Sequence, residues 1–209
     1  PRITNSEGGS ASNSSTHWRL VTSGGFSGVY RASGFSVGAS VVAGDGEAME
    51  SGYDGRSTRY RADLPDAHAI GQEAGRRAAA RLGARKIDST TAAVIFENRS
   101  AMSLISPLIG AIAGPSIARG TSFLKDKLHQ QIFAKGVNIT DNPHKLRGLG
   151  SSPFDDEGVA NRAWSLIEDG VLTTWIMNTS SAKQLGLETT GHASRGLAGP
   201  PGVSTTNLT

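Results

Sequence analysis

Residues 152–192 read SPFDDEGVANRAWSLIEDGVLTTWIMNTSSAKQLGLETTGH. An acidic turn, Asp155-Asp156-Glu157-Gly158, leads into a strand, a tight turn at Glu168-Asp169-Gly170 and a second strand. Asp-Gly is a strong hairpin signal, because a type I′ turn needs positive φ at both central residues and these two residue types tolerate it. The flanking runs, 163–167 and 171–177, carry the aromatic and β-branched side chains that suit a half-buried strand. A short helix from Ser180 to Leu185 and a Thr189-Thr190-Gly191 turn close the unit.

Upstream of this unit the pattern changes several times. Residues 1–15 are rich in Ser, Gly and Asn and read as a linker or strand remnant. From His17 to Ala43, apolar and small residues alternate, and glycines at 24–25, 34 and 44 divide the run into two or three short antiparallel strands. A polar strand is expected from Ser57 to Asp63. Pro65-Asp66 then opens a helix reaching about Leu82, with Asp66 as N-cap, a nearly all-alanine contact face and Gly83 just past the end. Ala92-Ala93-Val94-Ile95-Phe96 shows no alternation, which predicts that the strand from Lys86 to Phe96 is covered on both faces. An apolar helix follows, beginning either near Ser100, with Pro107 inside it, or at Ser106. A second helix is expected from Ser122 to Phe133 and a strand at Val137–Thr140. The sum is an α+β fold, a mixed but mostly antiparallel sheet with helices on one face, spanning 16–195. Residues 196–209 form a Gly/Pro-rich loop or tail.

Composition narrows the class. With 37% hydrophobic residues and 27 glycines in 209 positions, many short strands are favoured over a helical bundle. No apolar run reaches membrane-spanning length, no stretch reads as a signal peptide, and the absence of cysteine removes disulfide and thiolate chemistry. These features agree with a cytoplasmic chain. The net charge is only +3. The one basic cluster, Arg76, Arg77, Arg81, Arg85 and Lys86, lacks interleaved aromatics and fits a solvated helix end better than a nucleic-acid patch.

Few residues carry obvious chemistry. The five histidines, at 17, 68, 129, 144 and 192, show no metal-binding spacing. Asp155-Asp156-Glu157 lacks the alternate spacing of a calcium loop and reads first as a turn and strand start. No nucleophile elbow or phosphate-binding glycine loop is present.

The order FDDEGV, LIEDGVL, SAKQLGL and TTGH resembles the PmbA/TldD family, the two halves of a bacterial zinc peptidase system. Agreement continues at 93–98, 108–114 and 120–124. The resemblance covers roughly residues 16–195 and is nearer the PmbA branch, also called TldE, which implies that this chain is a central fragment of a longer protein. The TldD branch carries His-Glu-x-x-x-His on a helix, two imidazoles for zinc and a carboxylate as general base. Here Ile105, Ser106 and Gly110 stand at those three positions, and none can do that work. The resemblance therefore implies a non-catalytic, metal-free subunit, inactive alone, with no cofactor of its own. It would pair with a zinc-bearing TldD-like chain, or self-associate, to process unfolded peptides. His192 follows the turn where the family has a cleft-facing loop and is the candidate substrate contact, with the acidic turn Asp155, Asp156 and Glu157 beside it. Two other readings stay open. One is a self-sufficient hydrolase in which His192 meets Asp155 or Glu157. The other is a regulatory binding protein, as the family's older label, modulator of DNA gyrase, suggests.

Overall fold

The computed structural model describes residues 3–209, and the chain divides into two compact units. The first joins His17 and the residues before it to Arg31–Ala93, and the second joins Trp18–Tyr30 to Val94–Thr209.

β1 (Ile3–Val21), β2 (Ser27–Ala43) and β3 (Glu50–Thr58) form a sheet in that order, the first unit holding β1 up to His17, β2 from Arg31 and all of β3. β2 and β3 run antiparallel from Phe35↔Thr58 to Ala43↔Glu50 without a break. The β1–β2 connection closes through Gly25, whose N–H donates to the Thr22 carbonyl at 3.1 Å and whose φ is +92°. Helix α1 (Ala67–Arg81) has Asp66 as its N-cap, accepting from the His68 N–H, and Gly83 past its end at φ +72°. It lays Ile70, Ala74 and Ala78 on β3. A Cβ at Gly52 would collide with the helix backbone at Ala74 and Ala78, so the alanine face lets helix and strand meet main chain to main chain. Glu73 bridges Arg76 at 2.7 Å and Arg77 at 2.8 Å, while Arg81 donates to the Ser51 carbonyl at 2.8 Å. Three of the five residues of the basic cluster are thus engaged within their own unit.

The second unit is built on α2 (Asn98–Ala111), α3 (Gly114–Ala118), β4 (Ile139–Asp141), β5 (Trp164–Glu168), β6 (Val171–Leu172), α4 (Thr179–Leu185), β7 (Ala193–Ser194) and β8 (Gly202–Val203). β4-β5-β6 form one antiparallel sheet and β7-β8 a second pair. Leu108, Ala111 and Ile112 from the α2 end join Leu124, Ile139, Leu166, Ile167, Leu172 and Ile176 in one buried cluster. The Asp169-Gly170 turn has φ of +47° and +82°, as a type I′ hairpin requires. Gly186 closes α4 in the left-handed region at φ +68°. Antiparallel sheets with helices make this an α+β protein. No helix among the described residues is long and apolar enough to cross a membrane.

Several sequence expectations are corrected. The stretch Lys86–Phe96 is not a strand; it has no regular structure, and its apolar residues are exposed. The strand expected at Ser57–Asp63 ends at Thr58, before a 3-10 turn at Arg61–Asp63. Residues 122–133 form turns instead of a helix. Their backbone groups are drawn to the hairpin, with His129 N–H donating to Leu172 O at 2.8 Å and Ile132 N–H to Gly170 O at 2.9 Å. Leu124, Leu128 and Ile132 still reach the core, so the apolar spacing marked burial correctly and secondary structure wrongly. The longer form of α2, with Pro107 inside, is the one adopted. Residues 3–15 continue β1, and the tail beyond 196 folds back through β8 and a bridge from Leu208 to Asp141.

Candidate functional site

On α2, Ile105 packs against the core while Ser106 and Gly110 are exposed. The Ser106 hydroxyl donates to the Met102 carbonyl at 3.3 Å. α2 keeps its regular turn through 105–110, so those two positions diverge by roughly 140° around its axis. An aliphatic side chain, a hydroxyl turned back on its own helix and a glycine offer zinc no ligand set. The residues present do not fit the ion that this position holds in the TldD branch.

The densest polar arrangement lies elsewhere in the second unit. Asp141, at the end of β4, is wholly buried. Its Oδ1 accepts from the Thr206 hydroxyl at 2.6 Å and the Asn207 N–H at 2.7 Å, and the Thr206 N–H reaches both oxygens at 2.9 Å. His192 Nε2 lies 3.1 Å from Asp141 Oδ2, and its Nδ1 lies 2.9 Å from the Thr190 hydroxyl. Burial pushes the Asp141 carboxyl upward, but the bonds from His192 and Thr206 outweigh it and hold the group below the usual carboxylate range.

A hydroxyl, an imidazole and a carboxylate in that order have the connectivity of an activated nucleophile. Access decides against that chemistry. Thr190 is 5% exposed, His192 4% and Asp141 0%. The Thr190 oxygen is also held, accepting the Met177 N–H at 2.6 Å. Both ring nitrogens of His192 are engaged, one by Asp141 and the other by Thr190. The network clamps the 204–209 segment, the 190–193 turn and the end of β4 to one another. Its signal in the sequence is slight, because Asp141 is 51 residues from His192 and 65 from Thr206.

The acidic turn is also used up by backbone donors. Asp155 Oδ1 accepts from the Glu157 and Val159 N–H groups, and Oδ2 accepts from the Ala193 N–H at 3.0 Å. Asp156 accepts from the Arg195 N–H at 2.7 Å, and Glu157 accepts from the Thr179 N–H at the start of α4 at 2.8 Å. Burial raises the Asp155 carboxyl, partly offset by its N–H donors. His192 therefore pairs with Asp141, while Asp155 and Glu157 each fasten a different segment. The other histidines, at 17, 68, 129 and 144, are exposed, His144 resting 3.2 Å from Asn161. Among the described residues no three His, Asp or Glu side chains converge as a metal site.

Known proteins match this fold and sequence along nearly the whole chain. Residues 1–82 match the PmbA/TldA metallopeptidase central domain and residues 89–209 the C-terminal domain of the same family. The chain belongs to the PmbA/TldD family. Metalloprotease PmbA of Escherichia coli O157:H7 is 40% identical over 195 residues, covering 92% of this chain and 43% of that protein. A PmbA homolog from Haemophilus influenzae is 36% identical, again covering 92% of this chain and 43% of that protein. A crystal structure described as a modulator of DNA gyrase, from Bacteroides thetaiotaomicron, superposes with a TM-score of 0.87 at 30% identity, covering 99% of this chain and 45% of that one. TldE from Thermococcus kodakarensis shares the fold at a TM-score of 0.79 and 22% identity, over 96% of this chain and 46% of that one. The chain spans less than half the length of these relatives.

Proposed function

We propose that this chain is part of a non-catalytic, TldE/PmbA-like subunit that pairs with a zinc-bearing TldD-type chain in a peptidase acting on unfolded peptides. The observation that carries the reading is the pair Ile105 and Gly110, where the catalytic branch has its two imidazoles. Support comes from the family's metallopeptidase domains, from the curated PmbA relatives and from the fold shared with TldE. The clamped state of His192, Thr190 and Asp155 adds to it, since the groups best suited to hydrolysis hold loops together. The zinc, the general base and the cut would belong to the partner. This subunit would wall the cavity and hold extended peptide through strand-type backbone contacts.

The test is co-purification with a zinc-bearing homologue from the same cell, followed by peptide hydrolysis with and without chelator. The chain alone is expected to carry no stoichiometric zinc and to cleave nothing, and the pair to cleave until chelated. One tightly held zinc per chain, or turnover by the lone chain, overturns the reading.

A further inference from the structure

We propose that Asp45-Gly46, in the connection between β2 and β3, is a covalent modification site at which Asp45 converts to isoaspartate through a cyclic imide. This rests on the local chemistry of one turn inside the first unit and is independent of any zinc-bearing partner. Three Asp-Gly steps occur in the chain, at 45–46, 54–55 and 169–170. A glycine after the aspartate leaves the backbone nitrogen unhindered by a side chain and free to adopt unusual φ.

The fold separates the three. Asp54 is 6% exposed in the middle of β3, with Gly55 opposite Gly38 in the ladder. Asp169 Oδ1 accepts the Gly136 N–H at 2.6 Å and the Gly170 N–H donates to Val137 O at 2.8 Å, so both reacting groups are tied down. Asp45 and Gly46 are exposed. The Asp45 carboxylate makes no cap bond to the 3-10 turn at Gly46–Ala48, and no hydrogen bond holds the Gly46 N–H among the described residues. A Cβ built on Gly46 would meet nothing within 4 Å. Asp45 is extended at φ −130° and ψ 157°, and Gly46 at φ +57° can follow as the peptide between them turns. A charged Gly-Asp-Gly-Glu turn belongs in water, so its exposure, unlike that of an apolar face, calls for no covering chain. Asp88 is exposed too, but the Ser89 side chain crowds the same ring closure.

In the first step the Gly46 nitrogen attacks Cγ of the Asp45 carboxyl group. An N–Cγ bond forms, a Cγ–O bond breaks, and the hydroxyl leaves as water with the proton from the Gly46 N–H. Water then reopens the imide. Opening at Cγ restores Asp45. Opening at the main-chain carbonyl carbon leaves the chain running through Cβ and Cγ, with the former Asp45 carbonyl now a free carboxylate. Each opening takes up the water that ring closure released, so no oxidant or reductant is needed. The carbonyl removed from the main chain is the one that accepts the Ala48 N–H at 3.2 Å. The modification therefore lengthens by a carbon the connection that follows the Ala43↔Glu50 pair.

Incubating the folded chain in heavy-oxygen water marks the site, because each opening leaves a heavy oxygen on the residue that reacted. Fragmentation mass spectrometry, on a digest made in ordinary water, is expected to find at least about tenfold more label at Asp45 than at Asp54 or Asp169, whose reaction first needs local opening of the fold. In the urea-unfolded chain the three should label alike, since the same dipeptide is then equally free. Asp45→Glu, which would have to close a larger ring, is expected to lose the label at 45 and to leave the other two sites as they were. Label spread equally over the three sites of the folded chain, or label at Asp45 more than about tenfold below its unfolded value, overturns the proposal.

Discussion

His129 holds a φ of +62° in an exposed turn, its N–H donating to the Leu172 carbonyl. A left-handed backbone costs a residue with a Cβ roughly 1–2 kcal/mol. His129→Gly removes that cost and gives back part of it as chain entropy in the unfolded state. A net gain of about 1 kcal/mol is expected in urea unfolding. Asp141 and Asp155 set opposite pH dependences. The Asp141 carboxyl is depressed on folding, so its contribution is present above the ordinary carboxylate value and drains as pH falls through the folded one. Asp155 is raised by burial, so its ionisation costs stability as pH rises from the ordinary value through the folded one. Asp141→Asn is expected to lose about 3 kcal/mol at neutral pH and to flatten the acid limb of the stability curve. Asp155→Asn should steepen it. Urea midpoints followed from acid to neutral pH distinguish the two. Half-buried Glu73 shows the same physics on α1, where the hydrogen bond from Arg76 leads in holding it at about 2.

Elements meet here at distances that a methyl group would break. Gly52 lies against the backbone of α1, so Gly52→Ala should destabilise the first unit by about 2–3 kcal/mol through overpacking. At the hairpin, Gly170 combines a φ of +82° with carbonyls of Phe133 and Ala134 at 2.5 and 2.6 Å from any added Cβ. Gly170→Ala is expected to lower the urea midpoint and to loosen the 129–134 turns together with the hairpin, seen as faster amide exchange at both. The hairpin, α1 with its caps, and α4 were legible because each is specified by local chemistry: an Asp-Gly turn, an Asp cap, a glycine past the helix end. Residues 122–133 were not, because Gly170 and Leu172 compete for their backbone groups from about forty residues away. Lys86–Phe96 differs for the complementary reason: an apolar run without alternation carries no local turn or cap chemistry, and its structure depends on what packs against it.

At the largest scale, residues 1–82 and 89–209 match the central and C-terminal domains of a metallopeptidase family, in a chain spanning 43% of a PmbA relative. If His192 serves structure, His192→Ala should lower stability by about 3 kcal/mol, because Asp141 then stays buried without its partner. In the peptidase proposed above, turnover should be unchanged wherever the variant chain remains folded. A fall in turnover without a fall in stability would return His192 to substrate contact. At 105, 106 and 110 stand Ile, Ser and Gly, side chains that offer zinc no imidazole, thiolate or carboxylate in any conformation. The order of motifs likewise carried the family, and the local turn and cap residues carried the hairpin and the first helix. What needed folding was the partnership of buried charges. Asp141, His192, Thr206 and Asn207 are unremarkable along the chain and become one network only when β4, the 190–193 turn and the tail are brought together. Local propensity is written in neighbouring residues, whereas the burial and pairing of a charge depend on which distant segments exclude water from it.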